Sequence, residues 1–134
     1  FDQLSHFKLF VFDTGLLKHM AGIDNSAILL KADYQFKGLL TENYILQQLK
    51  GLFDIEPRYY ANKKIEIDFL IQNGIDIIPI EAKGGESKSA VSLKTFIRER
   101  NPVNAIRYSK MGYVKNGKIT NIPLYLVCET KELI

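Results

Sequence analysis

Residues 64–83 read KIEIDFLIQNGIDIIPIEAK. Two isoleucine-rich runs flank Asn73-Gly74, the dipeptide preferred at the centre of two-residue hairpin turns, so two antiparallel strands are expected over residues 64–72 and 75–83. With Asn73 and Gly74 as the central turn residues, Gln72 faces Ile75, Asp68 faces Pro79 and Glu66 faces Glu81. Strand side chains alternate between faces. One face therefore carries Ile65, Ile67, Phe69 and Ile71 with Ile78, Ile80 and Ala82, and belongs in the core. The other carries Glu66, Asp68 and Leu70 with Ile75, Ile77, Pro79, Glu81 and Lys83. In this register Asp68 and Glu81 are diagonal neighbours, roughly 7–8 Å apart at Cα. Pro79 cannot donate to a ladder and marks a place where an edge or a bulge would alter the pairing.

That mixed face has a chemical reading. Leu70, Ile75 and Ile77 imply that it is partly covered, and acids in a covered place need partners. Hard ions such as Mg²⁺ or Mn²⁺ take oxygen ligands, and one or two carboxylates, a carbonyl, waters and a substrate phosphate suffice to hold them. An ion so held lowers the pKa of a bound water and neutralises charge developing on a phosphoryl group. Lys83, on the same face, would orient that water or stabilise the same charge. The plain alternative is a solvent-facing ladder of ordinary cross-strand charge pairs.

Upstream, residues 36–49 read as a helix with Leu39, Ile45, Leu46 and Leu49 on one side, Phe53 following and Gly51 just past the last turn. Glu42 falls within that apolar stripe, where a carboxylate needs a partner: a lysine, or the ion that Asp68 and Glu81 would share. Before it, residues 8–13 (KLFVFD) suggest a short strand, and residues 14–20 a short helix closed by Gly22. The run from 58 to 61 suggests a strand, and residues 89–100 a second long helix, ended by Asn101-Pro102. Strands are further expected over 105–109 and, after an Asn116-Gly117 turn, over 123–128. Helix, three strands, helix and strand make an α/β fold with one mixed sheet flanked by helices.

With 134 residues the chain is of single-domain size. Residues 1–34 read as a lead-in and 35–134 as the domain proper. The opening at Phe1, without methionine or leader, suggests a piece of something longer. No apolar run approaches the ~20 residues of a membrane span. Cys128 is the only cysteine, which rules out an intrachain disulfide, and its apolar surroundings suggest a buried thiol in a reducing, cytoplasmic compartment. His6 and His19 have no metal-ligand spacing and read as structural or surface residues. Residues 83–118 hold nine Lys and Arg against two acids, whereas residues 1–82 hold eight against eleven. Such a basic stretch suits a phosphate-bearing partner, and Lys94, Arg98 and Arg107 are the candidates to track a nucleic-acid backbone. No GxxxxGK[ST] segment is present, so the chain itself carries no P-loop.

Glu42 in a helix, followed by Glu66-Ile67-Asp68-Phe69 and then Ile80-Glu81-Ala82-Lys83, resembles the PD-(D/E)XK, or restriction-endonuclease-like, nuclease superfamily over nearly the whole chain. More narrowly, residues 11–17 (VFDTGLL), the Glu-Ile-Asp-Phe segment, Pro79-Ile80-Glu81-Ala82-Lys83, Ser92-Leu93-Lys94 and residues 122–126 (IPLYL) look like the C-terminal domain of unknown function of a prokaryotic AAA+ ATPase family. The resemblance implies Asp68 and Glu81 as metal ligands, the Ala82 carbonyl as a backbone ligand, Lys83 as catalytic lysine and Glu42 as accessory acid. One departure is that Asp68 follows isoleucine rather than proline. The implied activity is Mg²⁺- or Mn²⁺-dependent phosphodiester hydrolysis on nucleic acid, DNA ahead of RNA. ATP would enter only through an upstream ATPase domain, the implied partner, and self-association is a further option. The competing expectation is a non-catalytic module that binds nucleic acid or protein in the service of the ATPase; a third is a structural or oligomerisation domain.

Overall fold

The computed structural model describes residues 7–26, 36–54, 56, 58–84 and 90–134. In chain order these residues form helix α1 (Thr14–Met20), helix α2 (Lys37–Leu52), strands β1 (Arg58–Ala61), β2 (Glu66–Asn73) and β3 (Asp76–Ala82), helix α3 (Val91–Arg100), strands β4 (Ala105–Ser109), β5 (Val114–Asn116) and β6 (Ile119–Pro123), a 3-10 helix (Leu124–Glu129) and helix α4 (Thr130–Leu133). The strands make one six-stranded mixed sheet in the order β1-β2-β3-β4-β6-β5, parallel at β3-β4 and β4-β6 and antiparallel elsewhere. This is the α/β architecture expected from the element order.

Every residue of β4 is buried, so the centre of the sheet is covered on both sides. Ile106 and Tyr108 pack with Phe69, Ile71, Ile78, Ile80 and Ile122 beneath Ile45, Leu49 and Phe53, which come from α2 and its end. Ala105 turns the other way, into a second cluster with Ile65, Ile67 and the α3 residues Leu93 and Phe96. Alternation along β4 thus assigns α2 to one face and α3 to the other.

Alternation along β2 fails at one point, with consequences for the site. Ile67 packs on the α3 side and Phe69 on the α2 side, although two residues apart they should share a face. Opposite them, Tyr60 pairs with Ile67 but Arg58 with Leu70, so two steps on β1 match three on β2. That is a bulge at Asp68-Phe69, which shifts the phase of the strand. The expected single core face of Ile65, Ile67, Phe69 and Ile71 is therefore corrected: the strand gives its first two isoleucines to one core and the rest to the other.

Both Asn-Gly hairpins turn one residue later than expected. Asn73 pairs with Asp76 and Asn116 with Ile119, leaving Gly74-Ile75 and Gly117-Lys118 as the central residues. Gly74 and Gly117 have φ of +64° and +59°, while Ile75 and Lys118 are not in the positive-φ region. Glycine at the first central position is the type II′ arrangement, which spares the β-branched Ile75 a left-handed conformation. Leu70 consequently faces Pro79, and Gln72 faces Ile77. A two-residue shift of register preserves the faces.

Other expectations are adjusted. Residues 8–13 form no strand, whereas α1 spans Thr14–Met20 as read, with the Asp13 side chain accepting from the Leu16 N–H at 2.7 Å. Gly51 lies inside α2, and the helix turns Leu40 inward while Leu39 is exposed. The run 123–128 is not a strand. After Pro123 it coils into a 3-10 helix, whose three-residue period buries Val127 and then Thr130 and leaves Cys128 exposed, against the expected buried thiol. The buried Tyr108 hydroxyl meets Thr130 Oγ1 at 2.6 Å, and Thr130 Oγ1 donates to the Val127 carbonyl, locking that turn under the sheet. No helix among the described residues is long and apolar enough to cross a membrane. The expected boundary at 34/35 and His6 lie outside the described residues; His19 is exposed.

Candidate functional site

The candidate residues lie where the C-terminal end of β3 passes under the first turns of α2. Gly84 makes that approach feasible: a Cβ there would lie 3.0 Å from Thr41 Oγ1 and 3.3 Å from the Lys37 side chain. At this end the β2-β3 ladder gives way to a side chain. Asp68, at the bulge, accepts a hydrogen bond from the Ala82 N–H through Oδ2 at 2.8 Å, satisfying a backbone donor beyond the last paired residues, Phe69 and Ile80.

The expected shared face resolves into two groups that meet at the Ala82 peptide. In the first, the bulge turns Asp68 to the α2 side, beside Glu42. Lys8 sits among the acids there: its Nζ lies 2.9 Å from Glu66, 3.2 Å from Glu42 and 3.4 Å from Asp68. In the second, Glu81 lies between Ile80 and Ala82, which both pack on the α2 side, so alternation sends Glu81 to the α3 side. Its neighbour in the parallel register is Arg107, and its Oε1 is 3.3 Å from Lys83 Nζ. Asp68 and Glu81 therefore do not project from one face as the hairpin register implied. The physical cause is the phase shift of the bulge, upstream of the position that Pro79 marked.

Glu42, Glu81 and Lys8 are perturbed. Burial, and then the charge of Asp68, push the Glu42 carboxyl above its ordinary range despite Lys8. Burial opposes charge on Lys8, but the hydrogen bond to Glu66 and the charges of Glu42 and Asp68 outweigh it and hold the ammonium on. Burial likewise raises the pKa of Glu81, more than Lys83 and Arg107 lower it, with Asp68 adding to the rise. Glu81 is 4% exposed, and its Oε2 is buried without a hydrogen-bond partner among the described residues. A buried carboxylate oxygen left so is costly to a fold and common at functional positions.

This asymmetry yields a stability prediction. A carboxyl whose folded pKa exceeds its unfolded value keeps its proton in the folded state over a pH window where the unfolded chain has lost it, so stability falls as pH rises through that window. Glu81→Gln mimics the protonated acid and is expected to stabilise the domain at pH 7 by on the order of 1 kcal/mol, a rise of a few degrees in Tm. It should also weaken the gain in stability that the wild type shows on acidification towards 4.5, the ordinary glutamate value. Thermal melts from pH 7.5 to 4.5 check both; a fall in Tm at neutral pH would contradict the reading of Glu81.

Of the backbone-tracking candidates, Lys94 and Arg98 are exposed on α3. Arg107 is 6% exposed, so it belongs with Glu81 and not on an open basic surface. Sequence reasoning passed over Lys8 and Asn43. The buried Asn43 accepts from the Val11 N–H at 2.9 Å and donates to Thr14 Oγ1 at 3.0 Å, fastening residues 7–14 to α2. The signal for Lys8 was its place in KLFVFD, where a lone cation opening an apolar run faces whatever the run packs against.

All the donors at this strand end are oxygens, from carboxylates and a peptide carbonyl, which is the chemistry of a hard divalent ion. Among the described residues no three Asp, Glu, His or Cys side chains are grouped to hold a metal. Magnesium-type sites need only one or two carboxylates beside waters and phosphate; Asp68, Glu81 and the Ala82 carbonyl match that donor chemistry, but the two carboxylates leave the sheet on opposite faces and adjoin only at the Ala82 peptide.

Fold and site together define an α/β domain with an acid-and-lysine cluster at the end of its central hairpin. The chain belongs to the DUF4143 family, described as a domain of unknown function, whose model matches residues 37–129. The match runs from the first residue of α2 to the last of the 3-10 helix and takes in all six strands. Comparisons with curated proteins and with solved structures found no match.

Proposed function

We propose that this domain is a divalent-metal-dependent, nuclease-like module that hydrolyses phosphodiesters, attached to an upstream AAA+ ATPase domain and working in the cytoplasm. The observation that carries the reading is Glu81: a buried carboxylate with one oxygen lacking a partner, two residues from Lys83 and next to the peptide on which Asp68 is docked. Asp68, Glu81 and the Ala82 carbonyl would hold Mg²⁺ or Mn²⁺, which when bound supplies an activated water and a counter-charge for the phosphoryl oxygens. Lys83, half-exposed beside Glu81, would position that water or stabilise the developing charge, and Glu42 would act as the accessory acid. Lys94 and Arg98 would steer a nucleic-acid backbone, DNA ahead of RNA, without reading its sequence. On this reading the arrangement in which Lys8 neutralises Asp68 is the resting form.

A second reading has its own observation. The acids fall into two groups, and one is already neutralised by Lys8, as in a non-catalytic module that binds nucleic acid or protein for the ATPase. Incubation with single-stranded, duplex and branched DNA and RNA, with either metal, tests the two. Metal-dependent cleavage abolished by Asp68→Asn supports the nuclease-like reading. Binding of nucleic acid without cleavage under any of these conditions supports the module.

A further inference from the structure

Residues 7–13 form neither helix nor strand, yet they carry the cation that neutralises the acids at the strand end. Phe10 packs on Phe69 with ring centroids 5.8 Å apart, the Val11 N–H is held by Asn43, and Thr14 is bonded to Gln47. Phe7, Leu9 and Phe12 are largely exposed. Lys8 thus reaches its three carboxylates from an irregular segment held by side-chain contacts at Phe10, Val11 and Thr14 and by no ladder or helix of its own, the kind that opens more readily than a sheet or helix.

We propose that residues 7–13 are an autoinhibitory strap, in which the Lys8 ammonium occupies Asp68 and must withdraw before a divalent cation binds there. The inference rests on the metal-dependent reading above. Its geometric core is that both oxygens of Asp68 are engaged: Oδ1 faces Lys8 Nζ at 3.4 Å, and Oδ2 accepts the Ala82 N–H at 2.8 Å. With Oδ2 taken by the Ala82 N–H and Oδ1 by the Lys8 ammonium, a divalent ion can reach this carboxylate only by displacing the ammonium. Lys8 and the metal are therefore competitors. Linkage makes the competition reciprocal: whatever holds the strap down weakens metal binding, and metal loosens the strap. Three carboxylates face one ammonium in the closed form, so the cluster keeps an excess of negative charge with which to draw in a divalent ion.

The test is calorimetric titration of the 134-residue chain with Mn²⁺, comparing wild type, Lys8→Met and Lys8→Arg, with hydrogen exchange at Val11 followed in the wild type as metal is added. Lys8→Met is expected to bind Mn²⁺ about tenfold more tightly, within the usual range of coupling between sites. Lys8→Arg, which keeps the charge, should stay close to wild type. Exchange at the Val11 amide should quicken on metal addition, a readout that does not depend on any variant folding. Metal binding with equal or lower affinity in Lys8→Met, or an unchanged Val11 amide under saturating metal, overturns the strap while leaving the metal site standing. Absence of Mn²⁺ binding in all three proteins overturns the strap and the metal-dependent reading together.

Discussion

Lys83→Ala is expected to reduce metal-dependent phosphodiester cleavage by a factor on the order of 10²–10³, the usual cost of removing one preorganised donor to developing charge, while leaving metal affinity nearly intact. Lys83 is about one-third exposed and its partner is Glu81. One partner of this pair is buried, so removing the lysine is expected to cost about 1–3 kcal/mol, and cleavage is compared at a temperature where both proteins remain folded. Asp68→Asn should fail differently. On the proposed reading it removes a metal ligand, and it weakens the acceptor for the Ala82 N–H, so metal affinity and local order at the strand end are expected to fall together. Steady-state cleavage assays with parallel Mn²⁺ titrations separate the two variants. Undiminished cleavage by Lys83→Ala would remove the lysine from any catalytic role.

The largest effect on stability is expected at Phe69. It is almost fully buried beneath α2, packs with Ile71, Ile78 and Ile80, and carries Phe10 of the strap on its ring. Phe69→Ala should destabilise the domain by about 3–5 kcal/mol, a large part of the 5–15 kcal/mol that such a domain possesses, with a fall in Tm on the order of 10 °C. The choice of residue is specific to the bulge. Phe69 fills the α2-side core because the bulge brings it there, and its loss should also release Phe10 and with it Lys8. Urea unfolding followed by circular dichroism measures the first effect, and hydrogen exchange at Val11 the second. A loss below about 1 kcal/mol would mean that the α2-side core is not packed as described.

Much of the architecture was readable from the chain. Helix α1, strands β1 and β4 and the first hairpin follow from caps, alternation and the Asn-Gly turn, and the α/β class follows from the element order; the second Asn-Gly turn is legible too, but its outgoing strand, Ile119–Pro123, comes earlier than the expected 123–128. The bulge was not readable, for a definite reason. After Asp68 the sequence runs Phe-Leu-Ile, so apolar residues occupy both phases and either one buries a hydrophobic side chain; alternation cannot choose between them. The turn position was ambiguous in a similar way, since Asn-Gly suits one turn type and Gly followed by a residue of negative φ suits another. In the run LYLVC, apolar residues suit a strand as well as a 3-10 helix, and the inward pull of Thr130 towards Tyr108 settles the matter in three dimensions only. For the site, the acids Glu42, Asp68 and Glu81 and the lysine Lys83 were named from sequence, and the pairing of Glu42 with a lysine was foreseen in kind. Which lysine was not, because Lys8 is 34 residues away along the chain, and its place at the head of KLFVFD says only that it faces whatever that run packs against.

The division of the acids into two groups also carries a cost in stability. A fold selected only for stability would not leave Glu81 Oε2 buried without a partner, nor set three carboxylates around a single ammonium. Mn²⁺ titration of the wild-type chain beside Asp68→Asn and Glu81→Gln, by calorimetry at pH 7.5, goes most directly to the heart of this. Saturable binding of one ion by the wild type, weakened at least tenfold in each variant, is the predicted result. Binding that persists unchanged in both variants, or no binding by the wild type at millimolar metal, would contradict it.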